Sequence, residues 1–377
     1  MTWHRKRLGD PVPVTIITGF LGSGKTTLLA KLLRHPSMGQ TAVIINEFGE
    51  IGLDHELIET SDETDVTLMG GCLCCTVKGD LIDTMQRLYV QREFGEVPRF
   101  ERLVIETTGL ADPAPVLQSI MADRELQRCY RLDGIATLID AVNGLDTLDR
   151  HLEALKQAAV ADRLVVTKTD VASPDGVNTL RAKLVDLNPA ARILKVDHGD
   201  VAPDLLLDAG IFDPTSKSPD VERWLNEEAY TYHHHHHDDH DHDDHGHHHH
   251  DINRHDEHIR AFCIRHDQPI PSAAAGFFLD ILMAERGSDL LRVKGLINIA
   301  EQPETPMVFH GVQHVIHAPA YLEAWPSEDR DSRLVFIVKD ITKEQIERLL
   351  KVLLDNRPYH EIAKAVPKKN SRQIEAG

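Results

Sequence analysis

The string GFLGSGKT at residues 19–26, set between a β-branched run and a Leu-rich stretch, constrains the fold of this chain more than any other feature. Residues 14–18 (VTIIT) form the run and residues 27–33 (TLLAKLL) the stretch, so the string occupies the strand-to-helix junction that a phosphate-binding loop requires. Gly19, Gly22 and Gly24, with Ser23 among them, let the backbone turn tightly enough for successive N–H groups to face phosphate oxygens. Lys25 then reaches the β- and γ-phosphates, Thr26 offers its hydroxyl to Mg²⁺, and Thr27 adds a hydrogen bond to the α-phosphate.

The rest of the chain agrees with such a loop. Residues 43–45, 103–105, 135–139, 164–166 and 193–196 are short apolar, mostly β-branched runs with helical or turn-rich stretches between them. That is βαβ repetition with strands buried on both faces, and it predicts an α/β P-loop NTPase with a mostly parallel sheet flanked by helices. At 377 residues and 41% hydrophobic content, the chain is long enough for a second unit. After about residue 214 the pattern changes. Strands are expected at 260–265, 291–300, 307–316 and 333–338, and helices at 272–285 and 342–354, the last N-capped by Thr342 with Glu344 and Gln345 in its first turn. The expected organisation is a P-loop unit over 1–215, a flexible His/Asp-rich linker over 216–258, a small C-terminal α+β unit over 259–357 and a disordered tail over 358–377.

Two further strings extend the nucleotide site. In ERLVIETTG (101–109) an apolar strand ends in Glu106, whose carboxylate can hold Mg²⁺ through water, and Gly109 can present its N–H to the γ-phosphate. In LVVTKTD (164–170) Lys168 can lie along the base plane, and Asp170 can accept two hydrogen bonds from guanine N1 and N2. Adenine offers no such donor pair, which selects GTP over ATP. Many GTPases carry Asn where this chain has Thr167, so a contact bridging base and phosphate loop is expected to be lost and base selectivity softened. Glu47 and Glu106 are the candidates to orient the attacking water.

Cys72, Cys74 and Cys75 in GGCLCC are soft ligands that suit Zn²⁺ and can also hold Co²⁺. Three thiolates in one tight loop fill three corners of a tetrahedron; two plus an outside group is the alternative, and Glu50, His198, water or a client's side chain could complete the shell. Between His233 and His258 there are fourteen histidines and seven aspartates, a tract that cannot form a core and reads as a collector of transition-metal ions. His310 and His314 are expected to be structural, and ADPAP at 111–115 is expected to be a turn.

The net charge of −19 argues against a nucleic-acid partner. Apolar runs such as 273–279 are too short to span a bilayer. Clustered thiols and no basic-then-apolar leader point to the reducing cytosol, giving a cytoplasmic expectation.

In order and spacing, GFLGSGKTTLL, NEFGE (46–50), GGCLCC, ERLVIETTGLADP and TKTD resemble the CobW-type GTPases, relatives of the UreG and HypB nickel-insertion proteins, over the chain to about residue 212. LLRVKG at 290–295, followed by GVQHVIHAP, resembles that family's C-terminal domain. The resemblance implies a slow GTPase acting as a metallochaperone, with the cysteine motif as its metal site and a client metalloprotein as its partner. A homodimer is compatible with it. A zinc store with vestigial hydrolysis and a nucleotide-dependent phosphotransferase are the alternatives.

Overall fold

The computed structural model describes residues 11–46, 66–69, 72–76, 81–207, 259–316 and 319–355. The first unit is built on strands β1 (Val12–Gly19), β2 (Thr41–Asn46), β3 (Val66–Met69), β4 (Cys72–Thr76), β5 (Arg102–Thr107), β6 (Tyr130–Asp140), β7 (Arg163–Thr167) and β8 (Arg192–Val196). They form one sheet in the order β3-β4-β2-β5-β1-β6-β7-β8. Every pairing is parallel except that of β3 with β4, where Met69 lies opposite Cys72. All eight residues of β1 and all six of β5 are buried, which is why these strands read as continuous apolar runs and not as alternating ones.

Helices α1 (Lys25–Leu33), α2 (Leu81–Phe94), α3 (Ala114–Ala122), α4 (Arg124–Cys129), α5 (Gly144–Arg150), α6 (Leu152–Val160), α7 (Pro174–Leu187) and α8 (Pro203–Leu206) connect the strands. Leu28, Leu29 and Leu32 of α1 pack on Ile17, Val43 and Val104 in one apolar layer. Leu117, Ile120 and Met121 of α3 pack on Val14, Ile16 and Ile105 in another. Alternate positions of β1 therefore feed opposite layers, as strand geometry dictates.

The second unit holds β9 (Ile259–His266), α9 (Ser272–Arg286), β10 (Leu290–Ile297), β11 (Met307–Val312), β12 (Val315–Ile316), β13 (Ala320–Tyr321), β14 (Ser332–Lys339) and α10 (Lys343–Leu354). Its sheet runs β12-β11-β10-β14-β9 and is antiparallel throughout, with β13 pairing β11. Thr342 and Gln345 form a reciprocal capping box at the start of α10, as the spacing predicts. The single strand expected over 307–316 is instead two, turned at Gln313, whose φ is 51°. The second histidine sits in that turn, where His314 Nδ1 lies 3.0 Å from Met283 O.

The face of this sheet opposite α9 and α10 meets the first unit. Leu291 and Ile337 pack on Ala159, and Cys263 and Val335 on Ala190. At the centre of the contact, Asp162, its side chain fully buried, accepts hydrogen bonds from Arg292 and from Lys294 Nζ at 2.9 Å, and from Ile135 N at 3.0 Å. Among the described residues, no helix is long and apolar enough to cross a membrane.

Candidate functional site

The phosphate loop emerges where β1 ends in the middle of the sheet. Gly19 has φ 144° and is packed so tightly that a Cβ there would lie 2.5 Å from Leu138 O and 2.8 Å from Ser23 Oγ, so only glycine permits the turn. Gly22 and Gly24 follow with φ 74° and 91°. Lys25 opens α1, and its Nζ donates to Gly19 O at 2.7 Å and to Phe20 O at 3.3 Å, which holds the ammonium against the loop. Thr26 and Thr27 are exposed on the same first turn. Among the described residues no side chain caps α1, and no acidic residue sits in its first turn, so its positive end is suited to an anion. Ser23 Oγ is buried without a hydrogen-bond partner among the described residues. A phosphate oxygen would supply the acceptor, so this loop fits a nucleotide by an observation independent of its motif.

The switch string lies on the neighbouring strand. Ile17 of β1 pairs with Glu106 of β5, and Thr107 Oγ1 donates to Thr18 Oγ1 at 2.7 Å. Glu106 is buried at 7% exposure, one strand from the loop that bears Thr26. A buried carboxylate and an exposed hydroxyl are hard oxygen donors of the kind Mg²⁺ takes. Gly109 touches the phosphate loop: a Cβ on it would lie 2.8 Å from Leu21 N and 2.9 Å from Leu21 Cα. Beyond it, Asp112 Oδ1 accepts from Ala114 N at 3.0 Å and Oδ2 from Lys156 Nζ at 2.9 Å; ADPAP, expected as a turn, is one only up to Pro113, because Ala114 and Pro115 already belong to α3.

At the end of β7, Thr167 changes the expectation. Its hydroxyl donates to Ser23 O at 2.8 Å, so the link from the base-recognition string to the phosphate loop is kept; a threonine reaches the carbonyl because β7 runs close beside the loop. Lys168 adopts φ 57° and its Nζ lies 2.8 Å from Asp140 Oδ2. Burial pushes the Asp140 carboxyl up, but hydrogen bonds from Lys168, Asn143 and Val142 N outweigh it and hold the group below its ordinary value. Asp170 Oδ2 stands 3.5 Å from His198 Nδ1. A cavity of about 130 Å³, lined by residues that include Phe20, Ser23, Asp140, Asn143, Gln157 and Lys168, adjoins the loop.

Cys72, Cys74 and Cys75 are not in the tight loop that GGCLCC suggests; their backbone forms β4, with Cys74 opposite Val43 and Cys75 opposite Ile44 of β2. Across β2, Thr76 is in line with Ile45 and then with Glu106, so the cysteine strand ends two strand spacings, about 10 Å, from the switch strand. His198 is the opposite case. It follows β8, which lies six strands from β4, on the order of 29 Å away, and so it is out of reach as a ligand to the cysteines of its own chain. Glu47, Glu50, His317 and the His-rich tract over 233–258 lie outside the described residues.

Sequence reasoning missed Gln157, Asp162 and the β3–β4 pair. Residues 13–195 match the model of the CobW/HypB/UreG nucleotide-binding domain, and residues 259–354 that of the cobalamin synthesis protein cobW C-terminal domain. The zinc chaperone YjiA of Escherichia coli (strain K12) is 32% identical over 337 residues, 89% of this chain and 97% of that protein. Zinc-regulated GTPase metalloprotein activator 1 of Schizosaccharomyces pombe is 38% identical over 211 residues, 53% of this chain and 50% of that protein. The crystal structure of Zn(II)-bound YjiA GTPase from E. coli aligns with a TM-score of 0.66 at 28% identity, covering 92% of this chain and 99% of that one.

Proposed function

Since this chain belongs to the CobW/HypB/UreG family and carries the family's C-terminal domain as well, we propose that it is a GTP-hydrolysing zinc chaperone that delivers its metal to a client metalloprotein. Zn²⁺ is the cargo, with Co²⁺ as the alternative, and its ligands come from Cys72, Cys74 and Cys75, either all three or two of them with an outside group. The observation that carries this reading is the register of β4: the cysteine strand is hydrogen-bonded into the nucleotide-binding sheet, two strands from Glu106. A change at the switch strand reaches the cysteines through one intervening strand, β2.

In the hydrolytic reaction Gly19, Gly22, Ser23 and Gly24 cradle the phosphates, Lys25 neutralises charge on the β- and γ-oxygens, and Thr27 holds the α-phosphate. Thr26 and Glu106 would hold Mg²⁺, which when bound supplies further charge neutralisation on the phosphates. Gly109 N–H meets the γ-phosphate, and Lys168 and Asp170 read guanine. Glu47 or Glu106 orients the water. Metal and nucleotide affinities are then linked, and the linkage is reciprocal.

The test is a competition titration of Zn²⁺ and Co²⁺ with and without Mg²⁺ and a non-hydrolysable GTP analogue, on the full chain and on its Cys74→Ala/Cys75→Ala variant. A chaperone shows at least about a tenfold tightening of one thiolate-dependent site, a coupling of about 1.4 kcal/mol. Equal affinity in both conditions would instead identify a metal store.

A further inference from the structure

We propose that Gln157 is a positioning residue for GTP hydrolysis: its carboxamide holds the segment from Gly109 to Ala111 at the distance from the phosphate loop at which Gly109 N–H can meet the γ-phosphate. The inference rests on the GTPase reading above and goes beyond it by assigning a role to a helix that carries none of the nucleotide motifs.

Gln157 lies on α6 and is 1% exposed. Its Nε2 donates to Ala111 O at 2.9 Å and to Gly109 O at 3.4 Å. Its own carbonyl accepts from Thr137 Oγ1 of β6 at 2.7 Å, so the residue is tied to the sheet at its main chain and to the switch segment at its side chain. Gly109 also packs against the phosphate loop, so closely that a Cβ on it would lie 2.8 Å from Leu21 N. The segment is thus limited by Leu21 as a barrier and held by Gln157 as a tether.

Neighbouring bonds extend the clamp. Lys156 holds the Asp112 carboxylate at 2.9 Å, and Gln313 Nε2, from the tip of the β11–β12 hairpin, donates to the same Oδ2 at 3.3 Å. Gln313 Oε1 in turn accepts from Gln118 of α3 at 3.3 Å. Gln157 is nevertheless the member that acts on the backbone of Gly109 itself. Its Oε1 is buried without a hydrogen-bond partner among the described residues, and the residue lines the cavity beside Phe20 and Ser23. Among the described residues the donating end of the amide is spent on the switch carbonyls. Donors aimed at developing charge depend on placement to about half an ångström, and a small displacement far from the chemistry can cost up to about 100-fold in rate.

The experiment compares wild type, Gln157→Met, which keeps length and loses the donor, and Gln157→Asn, which keeps the donor and withdraws it by one carbon. The readouts are kcat and KM for GTP, Kd for GDP and Tm. Both variants should lower kcat by about tenfold or more while GDP affinity stays within about twofold, because GDP does not use the γ-phosphate contact. If Gln157→Met does not fold, Gln157→Asn decides alone. An unchanged kcat, or a kcat that falls only in step with GDP affinity and Tm, overturns the proposal. Lys25→Ala fixes the background: wild-type hydrolysis no faster than this variant would defeat the GTPase reading itself and not the role of Gln157.

Discussion

Replacing Asp162 by Asn would remove one negative charge from the contact between the two units, together with the acceptor oxygen that Arg292 and Lys294 share. The carboxamide keeps the size of the side chain and an oxygen for Ile135 N. Arg292 and Lys294, with side chains 6% and 7% exposed, lose the counter-charge they share. Removing one partner of a buried ion pair costs about 3–5 kcal/mol, and two cations depend on this carboxylate, so the upper part of that range is expected. At about 2–4 °C per kcal/mol for units of this size, Tm should fall by on the order of 10 °C, measured by scanning calorimetry at pH 7. The triple variant D162L/R292M/K294M, which removes all three charges at similar volume, should recover most of the loss. Acid provides a second signature. Burial alone would raise the Asp162 pKa, but Arg292 and Lys294 hold it below its ordinary value. A depressed folded pKa contributes stability that is present above the unfolded value of about 3.9 and is lost as pH falls through the folded one. The wild type and D162N should therefore converge in stability on acidification below about pH 4. A D162N protein that melts within a degree of wild type at pH 7 would refute the electrostatic account of this interface.

Gly109→Ala places a Cβ where Leu21 backbone already stands, so the switch must retreat; kcat/KM for GTP should drop by about 100-fold while labelled-GDP titration stays near wild type, and equal loss of both would count against a γ-phosphate role. Thr167→Val removes the hydroxyl bonded to Ser23 O, which should cost about 1 kcal/mol, or about fivefold in affinity. Because the bond braces the loop proposed to hold the phosphates common to both nucleotides, GTP and GDP should weaken alike in a fluorescence titration, and an effect on GTP alone would show the bond to be something other than a brace for the loop.

The strands of the nucleotide-binding sheet were legible because their residues, such as Val14, Ile16 and Ile105, are buried on both faces and leave uninterrupted β-branched runs. The capping box at Thr342 was legible because its two partners are three residues apart. β4 was not, since Cys-Leu-Cys-Cys carries a ligand signal stronger than its strand propensity, and its parallel neighbour β2 comes from a separate stretch of chain. Gln157 and Asp162 were illegible for a different reason: nothing local marks a polar residue whose side-chain partners lie 27 to 132 positions away. Thr167 shows the limit of reading one residue against a motif. The missing Asn suggested a lost contact, whereas the distance between β7 and the phosphate loop lets a hydroxyl make it.

The central position of β1 also fixes an order of events during synthesis. β1 is made first, but its neighbours are β5 and β6, and Thr15 on it bonds to Asp133, 118 residues along the chain. Such distant parallel pairings must overcome chain-closure entropy before they are rewarded. The brace under Ser23 comes later still, from Thr167. At roughly 5–20 residues per second, a ribosome needs on the order of ten seconds to pass from the first of these residues to the last. A nascent chain therefore carries the residues of the phosphate loop well before it carries the loop, and nucleotide can help to fold the unit only after β7 has been made.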